Sequence, residues 1–486
     1  MTDRDSPVQI GTEATWASIY GGGRHSLAIK YDGSLWAWGY NLQGQLGDGT
    51  NQRRTSPVQI GMETNWATVS CGYNYTIAVK SNGTLWAWGY NYYGQLGDGT
   101  TSSKSSPVQI GTATDWAFVS CGVGYTVAMK SNGTLWAWGR NDVGQLGLGD
   151  TTDRHSPVQI GTAADWVCVE AGNTHTLAIK SDGTLRAWGD NANGELGDGT
   201  TTRRLFPVQI GTAANWASVC GGGYHSLAIK NDGTLWAWGD NEAGQLGVGD
   251  TTDRFSPVQV GTAANWTSVS CGKYYTLAMN SSSTLWAWGH NGFGQLGIGD
   301  TAAYRPSPVQ VGAATNWASF SGGGLHTLAL VDTVVVYAGP DQLITLGYGV
   351  QTVTLSATAS GGTTPYSYLW STSETTSSIA VSPMVPTTYT VTVTDADSET
   401  WTDAVFVDVL DARCGENLDL VLYCEDGVTE CNTVKKATRA INNGATLGPC
   451  TWNQPPVAVA SALPTSGTAP CRVSFSSSGS YDPDGT

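Results

Sequence analysis

The sequence predicts an all-β protein, because three of its features point the same way. Among 486 residues, glycine (63) and tryptophan (21) are abundant, whereas only 13% of residues are charged. Such a low share of charged residues disfavours long solvated helices. A pattern of fifty residues also recurs along the first two thirds of the chain. Within it, apolar residues alternate with a period of two, which is typical of strands, and not with the period of 3.6 of a helix.

The repeat aligns without gaps in six copies, which start at residues 1, 51, 101, 151, 201 and 251, and a seventh copy starts near 301. In the first copy, strands are predicted at residues 7–10, 16–20, 25–30 and 35–39. The last two are joined by Tyr31-Asp32-Gly33-Ser34, and Asp-Gly is a strong hairpin signal because both turn residues need positive φ. Four strands in each repeat are typical of a propeller blade. Seven blades are therefore expected over residues 1–338, with residues 334–338 as the last strand of the seventh.

The residues HTLAL or HSLAI, followed by DGTLWAWGDN and GQLG, resemble the regulator-of-chromosome-condensation repeat. The resemblance covers about residues 1–338 and implies a seven-bladed β-propeller. It says little about activity, because one fold serves many functions. The eponymous family member is a nucleotide-exchange factor that binds chromatin, whereas other propellers with similar repeats are secreted and bind proteins through one face.

Beyond about residue 340 the repeat ends, and residues 339–410 predict a β-sandwich with Trp370 in its core. The stretch TTYTVTVTDA resembles the immunoglobulin-like modules, related to the polycystic kidney disease domain, that occur in bacterial surface proteins. Residues 452–486 resemble the opening of a polycystic kidney disease domain. A truncated second sandwich is therefore expected at this end of the chain.

Cysteines fall into two groups. Residues 411–451 form a linker module that contains Cys414, Cys424, Cys431 and Cys450. No CxxC pair occurs there, so two disulfides are favoured over a zinc site, with three pairings open. Disulfides are typical of exported proteins, so a secreted or cell-surface bacterial location is expected. The second group, Cys71, Cys121 and Cys271, occupies one position of the repeat and is interpreted as small buried residues.

The two faces of the predicted propeller differ in how much they vary between repeats. Successive turns alternate between faces, so the loops equivalent to residues 11–15 and 31–34 share one face and are nearly constant. The loops equivalent to residues 21–24 and 40–55 share the other face and vary in Tyr, Arg, Asn and Asp, which are typical of binding surfaces. The alternative is neutral variation at solvated loop tips. The candidate ligand-binding residues are Arg24, Tyr40, Tyr73, Asn74, Tyr90, Tyr92, Tyr93, Arg140, Asp190, Tyr224, Asp240, Tyr274, His290 and Phe293.

Several kinds of chemistry are disfavoured. No nucleophile–base pair or paired carboxylate stands out from the repeat, so a non-enzymatic protein without cofactor or metal is expected. His25 and its equivalents are replaced by Tyr in other repeats, and Tyr is a poor zinc ligand, so a structural hydrogen bond is predicted. A net charge of −16 without a basic cluster argues against nucleic acid. No run of about 18 apolar residues indicates membrane insertion.

Taken together, the sequence predicts a monomeric, non-catalytic binding or adhesion scaffold of a secreted or cell-surface bacterial protein. Its ligand, a protein or a glycan, is expected on the variable propeller loops. Two alternatives remain open: a carbohydrate-binding accessory propeller of an extracellular enzyme, and a regulator similar to a guanine-nucleotide exchange factor.

Overall fold

The computed structural model describes residues 3–11, 15–331, 335–360, 364–396, 400–414, 420–425, 428–443 and 445–447. The chain divides into two compact units after Val331. Strands dominate both units, as the sequence predicts. Among the described residues, no helix is long and apolar enough to cross a membrane.

The first unit consists of antiparallel sheets that follow one another along the chain. The first three sheets are β1–β4 (Trp16–Gly21, His25–Lys30, Leu35–Gly39, Arg54–Gln59), β5–β8 (Trp66–Cys71, Tyr75–Lys80, Leu85–Gly89, Lys104–Gln109) and β9–β12 (Trp116–Cys121, Tyr125–Lys130, Leu135–Gly139, Arg154–Gln159). The next three are β13–β16 (Trp166–Ala171, His175–Lys180, Leu185–Gly189, Arg204–Gln209), β17–β20 (Trp216–Gly221, His225–Lys230, Leu235–Gly239, Arg254–Gln259) and β21–β24 (Trp266–Cys271, Tyr275–Asn280, Leu285–His290, Tyr304–Gln310). A two-stranded sheet, β25 (Trp317–Gly322) with β26 (Thr327–Val331), follows them.

Each four-stranded sheet takes its last strand from the next repeat. In the first sheet, β4 pairs with β3 so that Gln59 lies opposite Trp36. The predicted strand at residues 7–10 is wrong, because the described part of the last sheet has no third strand with which this segment could pair. The predicted strand at 334–338 is also misplaced. Val335–Tyr337 (β27) pairs with Thr358–Ser360 (β30) in the second unit.

Neighbouring sheets pack through the second tryptophan of each LWAWG strand. Trp88 is fully buried among Leu27, Leu35 and Trp66, and its indole Nε1 donates a hydrogen bond of 3.0 Å to the carbonyl of Gln45 in the preceding repeat. The equivalent bond recurs at Trp138, Trp188, Trp238 and Trp288. A buried aromatic ring with a satisfied polar end is a strong packing element. These tryptophans therefore hold adjacent sheets together.

The seventh repeat returns to the first. His326 Nε2 lies 3.0 Å from Ser26 Oγ, as His25 Nε2 lies 3.1 Å from Thr76 Oγ1 one repeat further on. Gly21 N donates to Ser321 Oγ at 2.9 Å. Since the contacts that join consecutive repeats also join the last to the first, the sheets form a closed ring, as in a β-propeller.

Backbone hydrogen bonds group the turns into two faces. Tyr40 N donates to Arg24 O at 2.9 Å, which places the loops equivalent to 21–24 and 40–53 on one side, the variable face. Tyr31 N donates to Thr15 O at 3.0 Å. This bond places the turns equivalent to 31–34 beside the loops that precede the inner strands, which are β1 and the first strand of each later sheet. These turns and loops form the constant face.

In the second unit, a four-stranded sheet of β28 (Gln342–Leu346), β34 (Thr400–Asp411), β33 (Thr387–Thr394) and β31 (Ser367–Trp370) contains one parallel pair, β28 with β34. A second sheet pairs β29 (Val353–Ser356) with β32 (Ser378–Val381). Apolar residues of both sheets share one core, in which Trp370 is 2% exposed. Its indole Nε1 donates to Thr376 O at 3.0 Å.

The cysteine-containing module has a small sheet of β35 (Arg413–Cys414), β36 (Leu420–Glu425), β37 (Val428–Asn432) and β38 (Thr446–Leu447). Cys414 forms a disulfide with Cys431. A helix that the sequence analysis did not predict, α1 (Val434–Asn442), packs Ala437 and Ala440 against Val421. Cys450 and the predicted second sandwich, 452–486, lie outside the described residues, as does the side chain of Cys424.

Candidate functional site

The variable face carries an aromatic cluster formed by Tyr90, Tyr92, Tyr93 and Arg140. The rings of Tyr90 and Tyr92 are nearly parallel, at 9° and 6.3 Å between centroids, and Tyr93 meets Tyr92 edge-on at 5.0 Å. The Arg140 guanidinium, which belongs to the next repeat, lies 5.5 Å from the centre of the Tyr93 ring. Tyr92 is 65% exposed. The cluster thus offers rigid aromatic surface beside a cation, the residue types that dominate binding energy at protein interfaces.

A conserved frame within the repeat holds this cluster in place. Asn91 lies two residues after the end of β7 and is fully buried. Its Oδ1 accepts a hydrogen bond from Leu96 N at 2.9 Å, and its Nδ2 donates to Thr100 O at 3.0 Å. Tyr93 N donates to Gln95 Oε1 at 2.9 Å. The backbone of the connection is therefore fixed by Asn and Gln, which recur in the repeats, while the tyrosine side chains are free to differ between repeats.

The other aromatic candidates form smaller pairs. Tyr224 and Tyr274 lie 6.0 Å apart, and Lys273 Nζ is 4.9 Å from the centre of the Tyr274 ring. His290 and Phe293 lie 5.8 Å apart. Arg24 covers Tyr40 at 5.9 Å. Among the described residues, the ring of Tyr92 contacts those of Tyr90 and Tyr93 in the second repeat. Tyr40 of the first repeat contacts Arg24 and none of these three rings.

The remaining candidates have other surroundings. Asn74 accepts a hydrogen bond from Gln45 Nε2 at 3.3 Å, which ties two repeats together. Tyr73 lines a central cavity. Asp190 Oδ1 accepts from Asn191 N and Asp240 Oδ1 accepts from Glu242 N, both at 3.0 Å. Asn74 O also accepts a backbone hydrogen bond from Tyr90 N of the aromatic cluster at 2.9 Å. Among the described residues, no hydrogen bond or ring contact joins Tyr73, Asp190 or Asp240 to that cluster.

The sequence analysis did not identify the central cavity, which has a volume of about 330 Å³ and is lined by the inner strands of all seven repeats. Cys71, Cys121 and Cys271, which the sequence analysis interprets as small buried residues, line it and are half-buried. Burial raises the pKa of Cys121 to about 12, so its thiol stays protonated and unreactive. Burial also raises the pKa of Glu170 in the cavity wall to about 7, although Ser120 donates to this carboxylate at 2.9 Å.

The repeated histidines have structural roles, as predicted. His175 Nε2 bonds to Ser226 Oγ at 2.9 Å, in the same way as His25 bonds to Thr76. Burial lowers the pKa of His25, His175 and His225 to about 3, so their rings are neutral at physiological pH. Within the described ranges, no three His, Cys, Asp or Glu side chains are arranged to hold a metal ion.

Comparison with known families covers the whole ring. A model described as an RCC1-like domain matches residues 1–217, and the regulator of chromosome condensation (RCC1) repeat matches residues 232–279 and 282–330. A second model of this repeat matches residues 216–245 and 266–295. The first unit is an RCC1-like repeat propeller. No curated protein matches the chain in sequence.

Solved structures support the same fold for the RCC1-like propeller. Human WBSCR16 is 21% identical, with a TM-score of 0.61, over 67% of this chain and 89% of that one. Prp20p from Saccharomyces cerevisiae, described with its binding properties to Gsp1p and histones, is 21% identical, with a TM-score of 0.58, over 65% and 82%. Yeast RCC1 (Prp20) is also known in a structure bound to Kap60, with a TM-score of 0.59 and 21% identity over 65% and 79%. At this identity the likeness shows the fold alone.

Proposed function

We propose that this chain is a non-catalytic binding scaffold of a secreted or cell-surface bacterial protein, and that its variable face holds a protein ligand. In this proposal the ring is a seven-bladed propeller whose last blade is reduced to two strands. Within the second unit, residues 339–410 form an immunoglobulin-like sandwich, of the type related to the polycystic kidney disease domain, that acts as a spacer.

The observation that carries the proposal is the aromatic cluster. The chain buries most of its tryptophans between sheets, yet it leaves Tyr92 largely exposed against two other tyrosines. Aromatic residues beside an arginine are enriched among the few residues that dominate protein interfaces. Their rings are already in contact, so little side-chain entropy is lost when a ligand binds.

Charge favours a protein ligand over a glycan. Arg140, which forms a salt bridge with Asp142 at 2.6 Å, and Lys273 each lie beside a tyrosine of the variable face. Charged groups beside aromatic rings suit the polar and charged groups of a protein surface. Propellers of this fold are also described with protein partners: Prp20p with Gsp1p and histones, and yeast RCC1 with Kap60. The parallel rings of Tyr90 and Tyr92 support the second candidate, a carbohydrate-binding accessory propeller, because flat rings also stack on sugars. An exchange-factor role is supported by the fold alone.

The proposed export is supported by the disulfide between Cys414 and Cys431. Disulfides form and persist in oxidising compartments and are rare in the cytosol.

A photo-crosslinking amino acid at Tyr92, compared with the same amino acid at Tyr31, tests the proposal. Tyr31 is a matched control, because it is 57% exposed but lies on the constant face. We expect a discrete crosslinked protein from position 92 and none from position 31, together with no signal on a glycan array. Equal crosslinking at both positions contradicts the proposal. Glycan binding that Tyr92→Ala abolishes establishes the second candidate instead.

A further inference from the structure

One position of the repeat changes from an amide to an acid in a single copy. Gln45, Gln95, Gln145, Gln245 and Gln295 occupy it, whereas the fourth repeat has Glu195. In the glutamine repeats, the amide oxygen accepts a backbone hydrogen bond, as Gln45 Oε1 does from Gln43 N at 3.0 Å. Glu195 Oε2 accepts the equivalent bond from Asn193 N at 2.8 Å. The Oε2 atom of Glu195 therefore takes the place of the glutamine amide oxygen. Its Oε1 atom takes the place of the glutamine Nε2, which is a donor in the other repeats.

In three repeats, the glutamine Nε2 at this position is within hydrogen-bond distance of a side chain on the variable face. Gln45 Nε2 donates to Asn74, Gln145 Nε2 donates to Asp142 at 3.2 Å, and Gln295 Nε2 lies 2.7 Å from His290 Nδ1. The amide nitrogens of Gln95 and Gln245 have no hydrogen-bond partner. Glu195 Oε1 also has none, and the residue is 0% exposed. A buried acceptor without a donor is unfavourable by about 1–3 kcal/mol.

Two further acids face Glu195. Asp190 and Asp240 occupy one position in adjacent repeats, and their charges add to burial in raising the pKa of Glu195 to about 7. Asp240 is itself 9% exposed, and its pKa is raised by burial and by the nearby Asp253 and Glu242. We call Asp190, Glu195 and Asp240 the acidic cluster. None of the salt bridges found among the described residues includes a member of this cluster.

We propose that the acidic cluster binds the cationic end of an arginine or lysine side chain from the protein ligand, which Asp190 and Asp240 contact while the fully buried Glu195 adds a third negative charge. This inference rests on the proposed function, because it assumes a ligand on the variable face. A basic side chain offsets the negative charge that the fourth repeat carries at this position and that the glutamine repeats lack. A guanidinium carries five donors in a planar fork and can reach several acceptors at once.

Binding of a tetra-arginine peptide to the full chain at physiological salt tests this site, with isothermal titration calorimetry as the measurement. Glu195→Gln places in the fourth repeat the residue that the other five carry, so the variant is expected to fold. We expect it to weaken binding by about tenfold or more, since truncating one partner of a buried charge pair has effects of this size. Tetra-lysine is expected to respond in the same direction and tetra-glutamate not to bind.

The matched control is Asp232→Asn, which removes one negative charge from the constant face. Asp232 Oδ1 accepts from Thr234 N at 3.0 Å, and Asn82 makes the equivalent bond in the second repeat, so the asparagine is compatible with the turn. Less than a twofold change is expected. Equal weakening by both variants, or no binding of tetra-arginine by the unmodified chain, overturns the inference.

The proposed function fails by a different readout. Loss of the crosslink at Tyr92 concerns the aromatic cluster, and tetra-arginine binding concerns the acidic cluster. If the crosslink forms but Glu195→Gln leaves tetra-arginine binding unchanged, the proposed function stands and this inference falls. If tetra-arginine binds through Glu195 but position 92 gives no more crosslinking than position 31, the proposed function falls.

Discussion

The two faces of the propeller use their polar side chains differently. On the constant face, Asn82 Oδ1 accepts from Thr84 Oγ1 at 2.7 Å, and Thr84 Oγ1 in turn accepts from the Trp86 indole at 3.0 Å. These three side chains thus have contacts within the fold. On the variable face, Asn91 and Gln95 fix the backbone, and the tyrosines between them are not needed for it. The comparison shows that the tyrosines of the second repeat occupy positions whose backbone is held by other residues.

The largest loss of stability is expected from a substitution on the constant face. Gly83 has a φ of 76°, and an added Cβ would lie 2.1 Å from the backbone oxygen of Thr114 in the next repeat. Gly83→Ala is therefore expected to lower the free energy of unfolding by about 3–5 kcal/mol, from backbone strain and overpacking together. Chemical denaturation measures it.

Gly111→Ala is the control for that change. Gly111 has a φ of 63°, but no atom lies within 4 Å of its added Cβ. Only the strain of the left-handed backbone remains, about 1–2 kcal/mol. If both glycine variants lose the same stability, the close contact between repeats is not what keeps the constant face constant.

A second prediction concerns the frame beneath the variable face. Asn91→Ala leaves Leu96 N without its acceptor in a fully buried site, so a loss of about 2–3 kcal/mol in unfolding free energy is expected. Asn82→Ala on the constant face removes two part-buried bonds within one turn but leaves no fully buried group without a partner, and a smaller loss of about 0.5–1.5 kcal/mol is expected. Thermal or chemical denaturation of both variants measures the two losses of stability. A larger loss of unfolding free energy for Asn82→Ala than for Asn91→Ala would mean that the variable loops lack a rigid frame.

The third prediction is a pH dependence. The pKa of Glu195 is raised from 4.5 to about 7, so between these values the folded state binds more protons than the unfolded chain. The stability contributed by this residue therefore falls as pH rises through this window and stays low above it. At pH 8, Glu195→Gln is expected to be more stable than the unmodified chain by on the order of 1–3 kcal/mol, with the gap closing near pH 4. If Glu195→Gln were less stable than the unmodified chain at pH 8, the prediction that the buried Glu195 carboxylate destabilises the fold when ionised would be wrong.

The smallest effect on stability is expected at Tyr92. Its side chain is mostly exposed and makes only ring contacts, so Tyr92→Ala is expected to change the free energy of unfolding by less than about 0.5 kcal/mol. A loss of several kcal/mol would show that this tyrosine serves the fold and not a ligand.

Much of this architecture could be predicted, because a repeat compared with itself shows which positions are fixed. The hairpins, the packing of the second tryptophan and the two faces all follow from that comparison. Adjacent residues such as Tyr92 and Tyr93 could also be placed together. The phase of the repeat could not, because a periodic sequence does not say where one sheet ends. The outer strand of each four-stranded sheet comes from the next repeat, and the segment 7–10 precedes the first sheet and has no described third strand with which to pair.

What the sequence could not reveal depends on contacts between repeats. Glu195 looks like an ordinary surface acid until the fold places Asp190 and Asp240 beside it. Tyr224 and Tyr274, fifty residues apart, meet only in the ring. The central cavity depends in the same way on closure between the last repeat and the first. A change from Gln to Glu at one repeat position was the available signal for the acidic cluster.

The most direct test of the central claim is the affinity of the crosslinked protein ligand for two alanine variants, one on each face. Tyr92→Ala is expected to weaken binding by about tenfold or more, as for a central aromatic residue of an interface. Tyr31→Ala, which removes an equally exposed tyrosine from the constant face, is expected to change it by less than about twofold. Equal losses, or a larger loss at Tyr31, would contradict a ligand-binding role for the variable face.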